Sequence, residues 1–293
     1  MTRRIALLAN PAAGRGDAHR IQDDVLARLA TAGEVELLVG SDVDDAVELA
    51  RKAVADGVDT LVSLGGDGML HLAIQAVAGS PTRLGVIPIG TGNDFARSVG
   101  LPTGDPLAAA DVVVRGRTRT LDLGRSGDRW FATVMAAGFD AAVNARANAM
   151  RWPHGDLRYT LATFAVLRHW RPVDYTLCLD GVERRQQAML LAIANTDSYG
   201  GGLRLPADAR PDDGLLDVII IKPVSKLEFL KVFPQVRTGA HVHHPAFERI
   251  RVRSLTLAAA QVTAYADGER FGPLPLTVEC VAGAVDVLVD GPR

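Results

Sequence analysis

The stretch TLVSLGGDG at residues 60–68 sets the fold, because an apolar strand signal runs directly into a glycine-rich turn. A helix-like segment follows at residues 69–78. Strands separated by helices of this length imply right-handed β-α-β units and a mostly parallel sheet. The same alternation extends to both sides: strands are predicted at 5–9, 35–39 and 84–89, and helices at 17–32, 44–54, 95–99 and 107–114.

The pattern changes after residue 117 to short strands joined by turns, which indicates an antiparallel, β-rich second domain. We therefore predict an α/β domain over residues 1–125 and a β-rich domain over residues 126–283. Strands are predicted at 118–123, 130–136, 175–179, 187–195, 216–222, 250–257, 262–266, 276–281 and 285–289, and helices at 141–149, 159–169 and 226–236.

Composition excludes several classes of protein. The 293 residues are 48% hydrophobic and 23% charged, as in a folded globular protein. A net charge of −2 provides no overall basic field, so we expect no nucleic-acid partner. Two cysteines outside any ligand-spaced cluster fit buried thiols and a reducing cytoplasm. No apolar run is long enough to span a bilayer, so we expect any membrane contact to be peripheral.

The first candidate site is the loop Gly65-Gly66-Asp67-Gly68, between a predicted strand and a predicted helix. Glycines let backbone N–H groups approach phosphate oxygens, and the helix N-terminus adds positive potential. Asp67 cannot attract phosphate by charge, so holding Mg²⁺ or accepting a hydroxyl proton are its functional roles. A tight turn with a capping aspartate explains the loop equally well.

A second polar glycine loop, Gly90-Thr91-Gly92-Asn93-Asp94, ends the next strand. Because the carboxyl ends of strands line the ligand crevice of an open parallel sheet, two such loops favour a nucleotide site over two ordinary turns. A third segment, NPAAGRG at residues 10–16, follows the first strand. It places Asn10 near the same crevice, although a plain first βα turn explains it as well.

Further candidates lie in the second half. The run RPDDGLLD at 210–217 has oxygen ligands for a hard cation, or is a β-turn between strands. The triplet Asp267-Gly268-Glu269 offers two carboxylates, or is a hairpin turn. Histidines at 241, 243 and 244 lack metal-ligand spacing, which favours a surface or interdomain loop. The apolar stretch 159–170 is read as a core helix or a membrane-surface contact.

Taken in order, these motifs resemble the diacylglycerol kinase catalytic family, in its bacterial lipid kinase branch, which is related to diacylglycerol and sphingosine kinases. The resemblance covers nearly the whole chain. It rests on NPAAGRG at 10–16, GGDG at 65–68, GTGNDFAR at 90–97, LDLG at 121–124, GFDAAV at 138–143, YGGGLRL at 199–205, PDDGLLDV at 211–218 and DGE at 267–269.

The resemblance implies an α/β nucleotide domain similar to those of NAD kinase and phosphofructokinase, followed by a β-sandwich domain. It also implies that the last strand, near residues 284–293, returns to the first domain. The implied reaction is transfer of the ATP γ-phosphate to a lipid hydroxyl with Mg²⁺. We accordingly expect a cytoplasmic protein that meets its lipid substrate peripherally at the inner face of the membrane, and the sequence leaves a homodimer open.

The resemblance also implies roles for individual residues. Asp67 and Glu269 are the candidate catalytic carboxylates, with Asp267 beside Glu269 and Asp122 linked to the site through metal and water. A structural Mg²⁺ site is implied at Asp213 with the carbonyls of Arg210 and Leu215. Together with the loop reading, the predicted nucleotide contacts are Asn10, Gly65, Gly66, Asp67, Gly68, Met69, Gly90, Thr91, Gly92, Asn93 and Asp94.

Two positions depart from the family pattern. Met69 stands where the family usually has threonine, and Gly40 or Ser41 occupies the place of another threonine, which bears on nucleotide affinity. Two alternatives remain beside a lipid kinase: a kinase of a soluble acceptor such as NAD, and a nucleotide- or lipid-binding protein without catalysis. Apolar acceptor pockets resemble core, so the sequence does not name the lipid.

Overall fold

The computed structural model describes residues 2–9, 17–150, 152, 161–162, 165–166, 169–205 and 208–291, except the side chains of residues 17–19, 140, 144, 148 and 233. The chain divides into two compact units. Unit 1 comprises Met1–Leu123 and Val281–Arg293, and unit 2 comprises Gly124–Cys280. Within the described ranges, no helix is long and apolar enough to cross a membrane.

Unit 1 alternates strands and helices. Its helices begin and end where the sequence provides caps: the Asp42 carboxylate accepts the Asp45 N–H at 2.9 Å, and Gly116 ends another helix with a φ of 67°. The elements are β1 (Arg4–Ala9), α1 (Asp17–Leu29), β2 (Glu34–Val39), α2 (Val43–Ala55), β3 (Thr60–Gly65), α3 (Asp67–Val77), β4 (Arg83–Pro88), α4 (Asp94–Ser98), α5 (Pro106–Arg115) and the start of β5 (Thr118–Ser126).

The parallel sheet of unit 1 has the order β2-β1-β3-β4, followed by the end of the last strand, β16 (Leu276–Leu288). The order reverses between β1 and β3, which is where ligands bind in open α/β sheets. Apolar runs such as Ile5–Ala9 are buried because helices cover the sheet. Val25 of α1 and Val113 of α5, for example, pack against Leu7 and Val62 in one core.

Unit 2 holds two antiparallel sheets. One has the order β12-β11-β10-β7-β14-β15, and the other contains β13, β8 and β9 with the first part of β16, while the end of β5 pairs with β6. The elements are β6 (Arg129–Phe131), β7 (Val134–Gly138), α6 (Phe139–Ala149), β8 (Val173–Leu179), β9 (Val182–Ala188), β10 (Leu190–Ala194), β11 (Leu216–Ile221), α7 (Lys226–Val232), 3₁₀ turns Phe233–Arg237 and Ala240–His243, β12 (Phe247–Val252), β13 (Ser254–Ala258), β14 (Thr263–Ala266) and β15 (Glu269–Pro273).

The main core of unit 2 lies between its two sheets. Met135 and Val218 of the six-stranded sheet pack with Leu177 and Leu257 of the other sheet. A second cluster forms on the outer face of the six-stranded sheet, where Phe139 of α6 meets Phe229 of α7 with ring centroids 4.9 Å apart. The predicted fold class, an α/β domain followed by a β-sandwich domain, is confirmed.

Five element predictions were wrong. The run 130–136 is not one strand, because β6 ends at Phe131 in one sheet and β7 starts at Val134 in the other. The run 250–257 is divided in the same way between β12, which ends at Val252, and β13, which starts at Ser254. The run 187–195 is not one strand, because β9 ends at Ala188 in one sheet and β10 starts at Leu190 in the other. The strands predicted at 276–281 and 285–289 are one strand, β16, which pairs with β13 in unit 2 and with β4 in unit 1. The helix predicted at 226–236 ends at Val232, because Pro234 follows and the chain tightens into a 3₁₀ turn.

Candidate functional site

The two glycine loops of unit 1 follow neighbouring strands, as the sequence predicted. Gly65 at the end of β3 is in register with Pro88 at the end of β4. The Ile89 N–H donates to the Gly65 carbonyl at 3.0 Å. Gly68 and Thr91 are exposed at these strand ends. Both loops therefore share one edge of the sheet, beside the point where the strand order reverses.

Close approach of the two loops explains two of the glycines. A Cβ on Gly90 would lie 2.7 Å from the Cα of Gly66, and a Cβ on Gly92 would lie 2.3 Å from the Asp67 carboxylate. Real Cβ atoms do not approach other heavy atoms so closely, so an alanine at either position would push the loops apart. Glycine at positions 90 and 92 is a condition for the observed contact between the loops.

Asp67 joins the two loops. It is the first residue of α3, and its carboxylate accepts the N–H of Asn93 at 2.8 Å and the N–H of Asp94 at 2.9 Å, one on each oxygen. These N–H groups lie at the start of α4, where the helix has no internal acceptors for them and a negative charge is favourable. The structure gives Asp67 a positioning contact within unit 1, in addition to the metal or proton role that remains a prediction.

Asn93 closes the second loop on itself. Its φ of 53° is left-handed, a conformation that asparagine adopts more readily than most residues. Its amide accepts the Gly90 N–H at 3.2 Å and donates to the Gly90 carbonyl at 2.7 Å. Arg97 adds a bond from Nε to the Gly92 carbonyl at 2.9 Å. The loop is thus held from inside as well as from Asp67, which fixes the conformation of its backbone.

Met69 is buried, and a Cβ placed on Gly65 would lie 2.5 Å from the Met69 Cβ. The residue that replaces the usual threonine therefore packs closely against the glycine that ends β3. The side chain at this position belongs to the core of unit 1, and Gly65 leaves the room it needs.

Asp122 of β5 is also buried in unit 1, and its carboxylate accepts the Gly283 N–H at 2.8 Å. This bond ties β5 to β16 where Gly283 has a φ of 64°. The family resemblance implies a link from Asp122 to the site through metal and water, and the contact that the structure shows is this strand-to-strand bond. Asn10 and the rest of the segment 10–16 lie outside the described residues.

In unit 2, Asp267 and Gly268 form the two-residue turn of the β14–β15 hairpin, with φ values of 53° and 87°. Both positive values fit the Asp-Gly turn that tight hairpins prefer. The Asp267 carboxylate accepts the N–H of Ala132 at 2.9 Å, and the N–H and hydroxyl of Thr133 at 2.8 Å and 2.6 Å. Asp267 therefore fixes the chain where it enters β7.

Glu269 begins β15 on the other side of this turn. Its side chain is exposed, and within the described part of the chain it forms no hydrogen bond or ion pair.

Sequence reasoning missed two residues that support the hairpin. Thr133 bonds Asp267, and the buried Asn195 donates its amide to the Ala132 carbonyl at 2.9 Å. Two sequence signals were available: the single polar residue Thr133 in the apolar run 131–138, and the polar run ANTDS at 194–198 directly after a buried strand.

The predicted cation turn has a different set of partners. Asp213 accepts the Leu215 N–H at 3.1 Å, and its second oxygen pairs with the Arg251 guanidinium. Arg210 lies 3.4 Å from the Asp212 carboxylate. Among the described residues, no three histidine, cysteine or acidic side chains cluster as metal ligands would. One carboxylate with backbone carbonyls suits a hard cation chemically, although Arg251 already supplies positive charge there.

Unit 2 also contains an apolar pocket that sequence reasoning did not identify. It encloses about 40 Å³ and is lined almost entirely by carbon, including Leu190, Leu205, Phe229 and Phe247. His241 lines it and is 1% exposed, so the surface or interdomain loop predicted for it was wrong. Its Nε2 lies 2.9 Å from the Leu205 carbonyl, and burial lowers the pKa of the imidazole. The ring is therefore held neutral in an apolar wall.

The fold and the paired glycine loops define a class of α/β proteins that bind phosphate groups at strand ends and carry a β-sandwich domain. Sequence comparison agrees with this class. Residues 4–126 match the diacylglycerol kinase catalytic domain, and residues 133–289 match the YegS C-terminal NAD kinase beta sandwich-like domain.

Individual proteins share the similarity over nearly their whole length. A diacylglycerol kinase of Mycobacterium tuberculosis (strain ATCC 25618 / H37Rv) is 44% identical over 97% of this chain and 94% of its own. One of Staphylococcus aureus (strain MRSA252) is 29% identical over 98% and 92%. The chain belongs to the diacylglycerol kinase family and is a lipid kinase.

Solved structures show the same fold. A diacylglycerol kinase from Bacillus anthracis str. Sterne superimposes with a TM-score of 0.77 at 19% identity, covering 99% of this chain and 97% of that one. An NAD kinase from Archaeoglobus fulgidus in complex with ATP superimposes with a TM-score of 0.57 at 16% identity, covering 98% and 94%. The predicted likeness of the fold to NAD kinase is confirmed.

Proposed function

We propose that the protein transfers the γ-phosphate of ATP to the hydroxyl of diacylglycerol or a related lipid alcohol. The observation that carries this proposal is the contact between the Asp67 carboxylate and the N–H groups of Asn93 and Asp94. It holds two glycine loops together at the strand ends where phosphates bind in this fold class. The 44% identical relative is itself named a diacylglycerol kinase.

An apolar acceptor is supported by the pocket of unit 2. At about 40 Å³ it has room only for the tip of an acyl chain, because ligand pockets are usually several hundred Å³. Its carbon lining has no set of polar groups that would recognise a soluble acceptor such as NAD. The pocket therefore favours a lipid over the soluble alternative.

The chemistry requires one new bond and one broken bond. The acceptor oxygen attacks the γ-phosphorus, the bond from this phosphorus to the β,γ-bridging oxygen breaks, and ADP leaves. We assign the acceptor proton to Glu269, which is exposed and unpaired within the described residues. Asp67 and Asn93 hold the loops that position the phosphates, which is the main contribution a protein makes to phosphoryl transfer.

The family resemblance implies Mg²⁺, and the residues of this chain fit it in part. Asp122 bonds the Gly283 N–H where β16 passes the start of β4, because the next residue, Ala284, accepts the Gly79 N–H, so Asp122 lies towards the opposite strand ends from the glycine loops. Asp94, which follows Asn93 at the start of α4, supplies a carboxylate near the sheet edge of unit 1, and Asp213 supplies one in unit 2. Bound there, Mg²⁺ would neutralise phosphate charge in the first case and brace the turn in the second. Arg251 would have to share Asp213 with the ion.

A lipid-panel assay tests the proposal. The protein is incubated with Mg²⁺, γ-labelled ATP or GTP, and micelles that contain diacylglycerol, monoacylglycerol, sphingosine or ceramide, with NAD as the soluble acceptor. Label in a lipid with a free primary hydroxyl supports the proposal, and diacylglycerol should give the highest rate. Label in NAD alone would overturn it, as would the absence of any transfer.

A substitution that fills the apolar pocket of unit 2 tests whether the lipid acceptor binds there. Ala246 lines the pocket, so Ala246→Leu places a larger side chain there. We expect the kcat/KM for long-chain diacylglycerol to fall about tenfold, because one or two excluded methylenes are worth roughly 1–2 kcal/mol. The KM for ATP should not change, since Ala246 lies in unit 2. An equal loss for a two-carbon-chain analogue would contradict the pocket assignment.

A further inference from the structure

Helix α7 of unit 2 has two apolar faces. Phe229 is buried and, with Val232, lines the apolar pocket. Leu227 and Leu230 are 73% and 37% exposed. These two leucines are three residues apart, so they lie on the same side of the helix. Side by side on one face, the two leucines form a contiguous exposed apolar patch, and such a patch with a polar rim is a feature of interaction sites.

The charges around these leucines are mostly positive. Lys226, Lys231 and Arg237 are exposed on α7 and the 3₁₀ turn that follows. The only acidic residue in the sequence from 226 to 237 is Glu228, and its carboxylate lies 3.3 Å from Nε2 of His244. Three cationic residues against one acidic residue give this segment a net formal charge of +2, whereas the whole chain has −2. The segment is thus a local cationic and apolar surface.

We propose that Leu227, Leu230, Lys226 and Lys231 form a docking surface for an anionic lipid bilayer, here called the α7 surface. Exposed leucines flanked by lysines are the pattern of helices that lie in the membrane interface: the apolar side chains enter the acyl boundary and the cations pair with lipid phosphates. An acidic protein partner would pair with the lysines but would not explain why two leucines are exposed beside them.

The opposite face of the same helix supports this occupant. Because Phe229 and Val232 line the pocket, a bilayer on the α7 surface would be separated from the pocket by one helix. The acceptor of a lipid kinase has its acyl chains in the bilayer, so a surface that docks there brings the pocket to its ligand. This part of the inference rests on the proposed function, whereas bilayer binding itself does not.

Vesicle sedimentation without nucleotide tests the surface directly. The full-length protein is mixed with vesicles of phosphatidylcholine alone or with phosphatidylglycerol, and the bound fraction is measured. We expect binding that increases with phosphatidylglycerol and weakens with salt. Leu227→Gln with Leu230→Gln should weaken binding about tenfold or more, because two partly inserted leucines are lost. Lys226→Gln with Lys231→Gln should weaken it and reduce its salt dependence.

Val182→Gln is the matched control. Val182 begins β9 in the same unit and is 69% exposed, so its replacement removes a comparable exposed apolar side chain elsewhere. Its binding to vesicles should equal that of the native protein. Unchanged thermal melting of the leucine variant shows that it folds, which the exposure of both leucines leads us to expect.

Two results would overturn the α7 surface: unchanged vesicle binding by the leucine variant, or a native dimer in sedimentation velocity that this variant dissociates, since a second copy would then cover the leucines. Activity separates the two proposals. If the native protein binds vesicles through α7 but labels no lipid in micelles, the surface stands and the proposed function fails. If the leucine variant labels micellar lipid normally and vesicular lipid poorly, both are supported.

Discussion

Asp67 in unit 1 and Asp267 in unit 2 make almost the same contact. Each aspartate sits in a glycine-containing turn, and each accepts two consecutive backbone N–H groups from a separate segment, at 2.8–2.9 Å. Asp67 holds a glycine loop whose Thr91 is exposed, whereas Asp267 holds the entry to a buried strand. The same carboxylate geometry therefore fixes an exposed glycine loop in one unit and a hairpin in the other.

The difference lies in what stands next to each aspartate. The neighbours of Asp67 are glycines, so the loop exposes backbone that can meet phosphate. Asp267 is two residues before Glu269, whose exposed carboxylate is not engaged by any described residue. We infer that both aspartates position other groups, and that Glu269 is the carboxylate left for proton transfer.

The largest effect is expected from Glu269→Gln, which keeps the size of the side chain but removes its ability to accept a proton. The kcat should fall about a thousandfold, within the range for loss of a general base. The melting temperature should stay the same, because Glu269 is exposed. Single-turnover transfer from labelled ATP, together with thermal melting, checks both. Retention of most of the turnover would show that another group takes the proton.

The second effect separates the two aspartates themselves. Asp67→Asn replaces one acceptor oxygen with a donor that faces a backbone N–H, which costs about 1–3 kcal/mol of stability. The KM for ATP should rise about tenfold as the loop at Asn93 loosens.

Asp267→Asn is the matched variant in unit 2. It should lose similar stability and some turnover, through movement of the hairpin that carries Glu269, but leave the KM for ATP unchanged. Steady-state kinetics with varied ATP and urea unfolding measure these values. An equal rise of the KM for ATP in both variants would contradict the conclusion that only the Asp67 contact affects nucleotide binding.

Gly90→Ala tests the approach of the loops without touching Asp67. Its Cβ would lie 2.7 Å from the Gly66 Cα, so the loops must separate. The KM for ATP should rise several-fold. Gly104→Ala is the control, because a Cβ there meets no atom within 4 Å. Nucleotide binding followed by calorimetry should be weakened by the first change alone; normal affinity in Gly90→Ala would place the phosphates away from this loop.

The smallest effect concerns the stability of unit 2 in acid. Asp267 lies in the same unit, so the pH dependence of this stability must be known when the unfolding of an Asp267 variant is measured. The hydrogen bond from Arg184 lowers the pKa of Glu248 from 4.5 to about 2, with Lys222 adding to it. Because the folded pKa is the lower one, this stabilisation is complete above pH 4.5 and is lost as the pH falls towards 2. Glu248 is partly exposed, so the contribution is below about 1 kcal/mol.

Glu248→Gln should therefore lower the melting temperature slightly at neutral pH, where the native carboxylate contributes, and flatten its decline below pH 4.5, so that native and variant protein converge in acid. Thermal melts across the acid range, compared between native and variant protein, measure this change. If the melting temperature of the variant falls in acid as steeply as that of the native protein, the ion pair between Arg184 and Glu248 does not stabilise the folded state.

The sequence predicted the loops of unit 1 well, because strand ends in a parallel sheet share one edge whatever the details of packing. It did not predict the partner of Asp67. Which N–H groups face the carboxylate depends on where α4 begins relative to α3, and no local pattern encodes that. Met69 could be marked as unusual, but its packing against Gly65 depends on the turn between β3 and α3.

Unit 2 was less predictable for physical reasons. The run QQAMLLAIAN at 186–195 has no polar break, yet the chain changes sheet at Met189. His241 lies in the polar run AHVHHP, yet it is buried, and its ring contacts the carbonyl of Leu205, 36 residues away. Hydrophobic periodicity reports the local environment of a segment and carries no information about contacts of this range.

The strand β16 has a consequence for how the protein is made. Unit 1 takes its last strand from residues that follow all of unit 2 in the chain, and the Gly79 N–H bonds the Ala284 carbonyl. While the ribosome is still producing unit 2, β4 presents an open edge of the kind that invites wrong pairing. We expect the nascent first half to remain sensitive to protease and available to chaperones until residues 281–288 emerge.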